Sequence, residues 1–206
     1  EGVEENRIHL VGNTMIDTLV AFEPEVQKSN ILHTLNIEGK PFVLMTMHRP
    51  SNVDTKERLE ILLDIIEHIC STKHLVWPIH PRTLHNLKKF DLSERFEKIP
   101  RIILTDPLDY FAFQKLIKAA TFIVTDSGGI QEETTFRQIP CLTLRENTER
   151  PVTVTLGTNT LVEYSAYAVI SYIKQIESGT YKKGQIPPLW DGQSTKRIAK
   201  VFKERL

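Results

Sequence analysis

Only two cysteines, Cys70 and Cys141, occur in the 206 residues, and each sits inside an apolar segment far from the other. A disulfide scaffold is therefore unnecessary and a cysteine-rich metal site is excluded. No apolar run approaches the roughly 18 residues of a membrane span, and the opening EGVEENRIHL has neither a basic nor an apolar targeting region. Net charge is also absent: 26 basic side chains face 26 acidic ones, with no Lys/Arg block. Such a chain lacks the electrostatic footprint of a binder of nucleic-acid backbones. The expectation is a soluble, cytoplasmic protein with neither nucleic acid nor membrane as partner. The chain begins at Glu1 without methionine, which suggests a piece of something longer.

What the sequence does contain is a rhythm. Apolar blocks bounded by turn residues recur at 42–47, 75–79, 101–104, 121–124 and 141–144, and read as buried parallel strands. Helical spacing lies between and after them. It is clearest at Leu59, Leu62, Leu63, Ile66 and Ile69, with Asp54 and Glu57 at capping-box spacing in front, and weaker at Leu116 and Ala119. It returns at Ala166, Val169, Ile170 and Ile173, and at Ile198, Val201 and Phe202. Alternating strand and helix predict an α/β fold with a Rossmann-like open parallel sheet, covered on both faces, with ligands at the carboxyl ends of the strands. Residues 1–36 fall outside the rhythm and read as a lead-in segment, with a short edge strand expected at 8–11; residues 37–206 form the domain. The Gly- and Pro-rich stretch 178–193 reads as a loop before the last helix.

Three segments carry residues suited to chemistry. In TFIVTDSGGIQEETTF, residues 121–136, a strand runs into a Gly pair and then a helix whose pattern begins near Ile130. Backbone N–H groups at 128–131 would then form an anion cradle, Ser127 adding a hydroxyl and Glu133 a carboxylate able to hold a ribose diol. The alternative, that Ser127 merely caps the helix and Glu132 and Glu133 favour its positive end, stays open. The DSGG motif also surrounds the nucleophilic serine of chymotrypsin-like proteases, but those are disulfide-bearing all-β proteins, and this segment follows a buried strand. In VLMTMHRPSNVD, residues 43–54, His48 and Arg49 follow a strand directly, a position where substrates dock and where an imidazole suits proton transfer. WPIHPRT repeats that arrangement with His80 and Arg82, either as site residues or as a histidine satisfied by its own loop. LRENTERPVTV, residues 144–154, places Arg145, Glu149 and Arg150 near the same sheet edge, where Arg150 could clamp a diphosphate.

Taken together, VTDSGGIQEE, the downstream TERP and GTNTLV, the upstream DPLDYFAF and the early HRPSN resemble the non-hydrolysing UDP-N-acetylglucosamine 2-epimerases over residues 7–206. The resemblance is to the carboxyl-terminal half of such enzymes, one of two Rossmann-like domains in a glycosyltransferase-B arrangement, and it implies that an amino-terminal domain is missing. It further implies the partners UDP-GlcNAc and UDP, no separate cofactor or metal, and a homodimeric full-length enzyme. By that resemblance Phe113 packs near the uracil, Ser127, Gly128 and Gly129 hold the phosphates, Glu133 takes the ribose hydroxyls and Arg150 adds a phosphate contact. His48 matches the active-site histidine, while Arg49 and His80 match positions near the sugar nucleotide, including a second, regulatory substrate molecule. Two departures are visible: Pro50 and Ser51 follow Arg49, and Val152 follows Pro151, where many members carry charged residues. A retaining glycosyltransferase of the same architecture is disfavoured, because the paired-glutamate offset from Glu132 or Glu133 falls on Pro140 or Cys141. A hydrolysing epimerase fits the SGG and TERP segments less well, and a nucleotide-binding module without turnover is the non-enzyme alternative. The implied reaction is elimination of UDP followed by its re-addition, with the carboxylates for carbon 2 on the absent domain.

Overall fold

The computed structural model describes residues 2–205. Six strands, β1 (Phe42–Thr46), β2 (His74–Pro78), β3 (Ile102–Thr105), β4 (Phe122–Thr125), β5 (Cys141–Thr143) and β6 (Asn159–Leu161), form one parallel sheet in the order β3-β2-β1-β4-β5-β6. The helices in chain order are α1 (Thr14–Ala21), α2 (Glu23–Lys28), α3 (Ile31–Thr34), α4 (Pro50–Val53), α5 (Lys56–Thr72), α6 (Pro81–Lys89), α7 (Ser93–Glu97), α8 (Tyr110–Ala119), α9 (Gly128–Arg137), α10 (Pro151–Thr155), α11 (Ala166–Glu177) and α12 (Ser194–Arg205). The expected Rossmann-like α/β architecture is the one observed. The stretch 178–193 is the connection between α11 and α12.

Side chains alternate across the central strands, because successive residues of a strand face opposite sides. Val43 and Met45, Leu75 and Trp77, Phe122 and Val124, and Leu142 enter one core with α5 and α11. Phe42 and Leu44, Val76, Ile123 and Cys141 enter the other, with Leu116 and Ile117 of α8 and Ile130 of α9. Both faces being covered explains why these strands read as unbroken apolar runs rather than as polar–apolar alternation. At the edge, β3 is only half-buried. A third cluster of Ile16, Leu19 and Trp190, with Phe136 and Val152 against it, seats α1 on the domain. The Asp17 carboxylate accepts the N–H groups of Ser194 and Thr195 at 3.0 and 2.6 Å and so caps α12.

Three local expectations are corrected. Residues 8–11 form no strand; Ile8 and Leu10 are exposed and pair with no neighbour in the sheet. The long helix α5 is capped by Thr55, whose hydroxyl accepts the N–H of Arg58 at 3.3 Å, and not by Asp54, which pairs with Arg82. The strand β6 was not expected from the pattern: it is three residues long and two of them are polar.

Between α10 and β6 the backbone makes a close approach. A Cβ on Gly157 would lie 2.5 Å from the carbonyl oxygen of Thr153 and would also collide with the Thr135 side chain. The carbonyl belongs to α10 and has little freedom to withdraw. Gly157→Ala should therefore lower unfolding stability by about 1–3 kcal/mol in urea titrations. An unchanged midpoint would show that this junction is looser than its geometry indicates.

Candidate functional site

The chain runs outward from β1 through β2 to β3 and then returns to lay β4 on the other side of β1, so the topological switch point lies between the carboxyl ends of β1 and β4. Asp126 occupies that point. Its side chain is fully buried. One oxygen accepts the backbone N–H of Arg49 at 2.9 Å, that of His48 at 3.1 Å and the amide of Asn52 at 3.1 Å. The other lies 2.8 Å from Nδ1 of His48. With Nδ1–H donated to the carboxylate, the imidazole is held in one orientation and its Nε2 is left free on a half-exposed ring. Arg49 Nε donates to the carbonyl of Asp126 at 2.9 Å, binding the two loops together from the other direction. Pro50 starts α4, where its missing N–H costs nothing, and the α4 residue Asn52 also reaches the carbonyl of Leu144 at 3.3 Å. Neither Asp126 nor Asn52 was singled out from sequence, although Asp126 stands inside the DSGG motif itself.

Next along the chain, α9 begins at Gly128, two residues earlier than its pattern suggests, with Ser127 at the N-cap. The Ser127 hydroxyl makes no capping bond, and no acidic side chain occupies the first turn. The capping reading of Ser127 is thereby set aside: the first N–H groups of the helix have no side-chain acceptor and point past the end of β4. Arg150 lies over this terminus. A Cβ on Gly128 would sit 2.7 Å from Arg150 Nη1, so the guanidinium rests on the bare glycine; Gly129 has only Met15 nearby, at 3.5 Å. Glu132 aims the arginine, accepting from its Nε at 2.7 Å while its second oxygen accepts from Asn13 at 2.8 Å. Arg145, by contrast, is held within its own loop by both oxygens of Glu149, at 3.0 and 2.6 Å, and draws the Glu149 carboxyl down to about 2. Val152 lies in the apolar contact with α1.

One helical turn into α9, Glu133 is 9% exposed. Burial pushes its carboxyl up to about 7, against the opposing influence of Gln114 and Arg137. Arg137 Nε donates to Gln114 Oε1 at 3.2 Å, while Gln114 Nε2 and Arg137 Nη2 are buried without partners. Phe113, half-buried on α8 next to Gln114, packs against the second core.

His80 is placed differently. It caps α6, its Nδ1 accepting the N–H of Arg82 at 3.1 Å, and Arg82 is clamped to Asp54. Among the described residues no hydrogen bond links it to the His48–Asp126 or Ser127–Arg150 groups. His48, Arg49, Ser127, Gly128, Gly129 and Arg150 thus gather at the switch point and the adjoining helix terminus, Glu133 and Phe113 lie along α8 and α9, and His80 stands at the next loop. His48 bonds to Asp126 and not to Ser127, so these two residues do not form a nucleophile–base pair of the protease kind. A cleft of about 580 Å³ beside the cluster is lined by Arg49, Asn52, Arg145 and Tyr164, among others.

Residues 1–203 match the family model described as UDP-N-acetylglucosamine 2-epimerase. A curated UDP-N-acetylglucosamine 2-epimerase from Methanocaldococcus jannaschii is 37% identical over 207 residues, covering 98% of this chain and 56% of the relative. One from Salmonella typhimurium is 30% identical, with the same two coverages. The solved structure of the M. jannaschii enzyme in complex with UDP-GlcNAc and UDP superposes with a TM-score of 0.82 at 37% identity, over 98% of this chain and 56% of that one. The chain therefore spans about half the length of the relatives it matches.

The buried Glu133 has a signature in stability. Its folded pKa, near 7, lies above the usual value of 4.5. The stability it contributes is complete below that usual value and is lost as pH rises through about 7, because the native state must give up a proton it holds more tightly. Glu133→Gln removes this loss, so its stability relative to the parent should be about 1–3 kcal/mol greater at pH 8 than at pH 5. Thermal or urea unfolding at the two pH values checks this, and a pH-independent difference would contradict it.

Proposed function

Because the chain belongs to the UDP-N-acetylglucosamine 2-epimerase family, we propose that it is the nucleotide-binding half of a non-hydrolysing enzyme that interconverts UDP-GlcNAc and UDP-ManNAc. The observation that carries the reading is the uncapped start of α9 under Arg150, with a buried carboxylate one turn further on. The N–H groups at Gly128 and Gly129, the Ser127 hydroxyl and the Arg150 guanidinium receive the diphosphate; Glu133 accepts both ribose hydroxyls, and Phe113 borders the base. No metal or cofactor enters this scheme.

The proton at carbon 2 of an N-acetylhexosamine is not adjacent to a carbonyl, so direct removal is too difficult and another activation is required. In the proposed route a base takes that proton, the electron pair forms a double bond between carbons 1 and 2, and the carbon 1–oxygen bond breaks with its electrons on UDP. UDP then re-adds at carbon 1 as a proton returns to carbon 2 from the opposite face. Negative charge grows on the departing phosphate, and donors fixed in advance stabilise it without reorganising, worth on the order of several kcal/mol. His48, its Nδ1 tied to Asp126, presents Nε2 either to donate to that phosphate or to move a proton. The carboxylates acting at carbon 2 come from a second domain, which residues 1–36 join to the nucleotide domain 37–206; the whole enzyme is a cytoplasmic homodimer. Arg49 and His80 keep free nitrogens for a second, regulatory nucleotide sugar.

Calorimetry with UDP tests the cradle. Ser127→Ala and Glu133→Ala should each weaken binding by about 1.5–3 kcal/mol, the worth of a hydrogen bond to a charged group. Affinity unchanged in both variants would overturn the placement of phosphate and ribose. In the full-length enzyme, His48→Ala should reduce turnover about 100- to 10,000-fold in protein that remains folded, and the parent should place solvent deuterium at carbon 2 of the product in heavy water. Epimerisation without that label would exclude elimination.

A further inference from the structure

Gln131 of α9 is fully buried, and the scheme above leaves it unused. A glutamine interior to a helix and sealed from water is costly unless each of its groups is paired, so its partners bear on why it is there. Its Nε2 donates to the carbonyl of Ser127 at 3.2 Å. Its Oε1 accepts two bonds, from Thr148 Oγ1 at 2.7 Å and from Asn159 Nδ2 at 3.0 Å. Both lead to one residue. Thr148 Oγ1 accepts the N–H of Arg150 at 3.0 Å. Asn159 Nδ2 also donates to Thr153 Oγ1 at 3.1 Å, and that hydroxyl donates to the carbonyl of Arg150 at 2.8 Å. Asn159 is itself anchored, its Oδ1 accepting from Thr143 of β5 at 2.6 Å.

We propose that Gln131 is a positioning residue of the anion cradle, setting the distance between the Ser127 turn and the Arg150 guanidinium by gripping the former directly and the backbone of the latter at both its N–H and its carbonyl. The inference rests on the diphosphate reading of Ser127 and Arg150. Glu132 holds the arginine's side chain, whereas Gln131 holds the peptide from which that side chain springs. The two grips come from adjacent residues of α9, so helix terminus and arginine move as one body. A phosphate then meets donors already at their final separation, and the ordering cost falls on folding rather than on binding. The short β6, with polar Asn159 at its start, has a role on this account: it brings the amide that closes the network.

The test compares two ligands that differ only in phosphate, UDP and uridine, on the 206-residue chain, with folding of each variant followed by circular dichroism. Gln131→Met, which keeps volume and removes the hydrogen bonds, should weaken UDP binding roughly tenfold while leaving uridine binding within about twofold. Combined with Arg150→Ala it should weaken UDP no further than Arg150→Ala alone, because both changes disable the same contact. Should Gln131→Met fail to fold, Thr148 decides the matter: Thr148→Val should reproduce the selective loss, and Thr148→Ser, which keeps the hydroxyl, should restore parental binding. UDP affinity unchanged in Gln131→Met and Thr148→Val, or uridine lost in step with UDP, would overturn the positioning role while leaving the cradle intact. A parent chain that binds uridine but not UDP would instead overturn the cradle, and this inference with it.

Discussion

A single buried negative charge organises the functional end of this molecule. Moving a carboxylate out of water carries a penalty of several kcal/mol unless donors surround it. Asp126 meets that demand with two backbone N–H groups, an amide and an imidazole, all supplied by residues 48–52. The loop after β1 therefore has to fold back over the end of β4, and α4 has to start where it does so that Asn52 can reach. The orientation of His48 is a by-product of the same requirement. The pairing of β1 with β4 ends in a contact between the hydroxyls of Thr46 and Thr125, 2.6 Å apart, so the sheet delivers the aspartate to its donors in a fixed register.

Around that fixed point the proposed site would use two kinds of recognition. At the start of α9, direction matters: the first N–H groups have no side-chain cap, and the Arg150 guanidinium lies beside them. Further along the same helix, burial matters. Glu133 is kept from water and its charged form is disfavoured, which on the proposed reading suits an acceptor of ribose hydroxyls. One helix ten residues long thus offers a donor set at its tip and an acceptor on its flank.

Much of this was legible in sequence wherever one physical cause governed the pattern. Five of six strands announced themselves because a sheet covered on both faces demands apolar runs, and His48, Ser127 and Arg150 stood out by lying in the stretches that follow strands. What escaped notice depends on partners distant in the chain. Asp126 looks like an ordinary polar turn residue until the loop 78 positions away is folded over it. Gln131, in an otherwise mixed helix, looks like a surface residue, since its burial is set by β6 and the 144–150 loop. The apolar residues at 8–11 misled in the opposite sense, because a run that is apolar but has no strand beside it to pair with stays exposed. Thr55 displaced Asp54 as cap because Asp54 had a stronger partner in Arg82.

The pairing of Arg150 with Glu132, and the bond from the Arg49 guanidinium to the carbonyl of Asp126 beside that residue's carboxylate, bear on which anions the site can notice. Two guanidinium groups and two carboxylates sum to no charge, so the cradle projects little field into solvent and does not gather anions from a distance. On the proposed diphosphate reading, attraction would begin only at contact, where N–H vectors and a forked guanidinium meet phosphate oxygens. Ionic strength would then have little long-range interaction to screen there, and polyanions drawn by fields rather than by fit would find little at this end of the molecule.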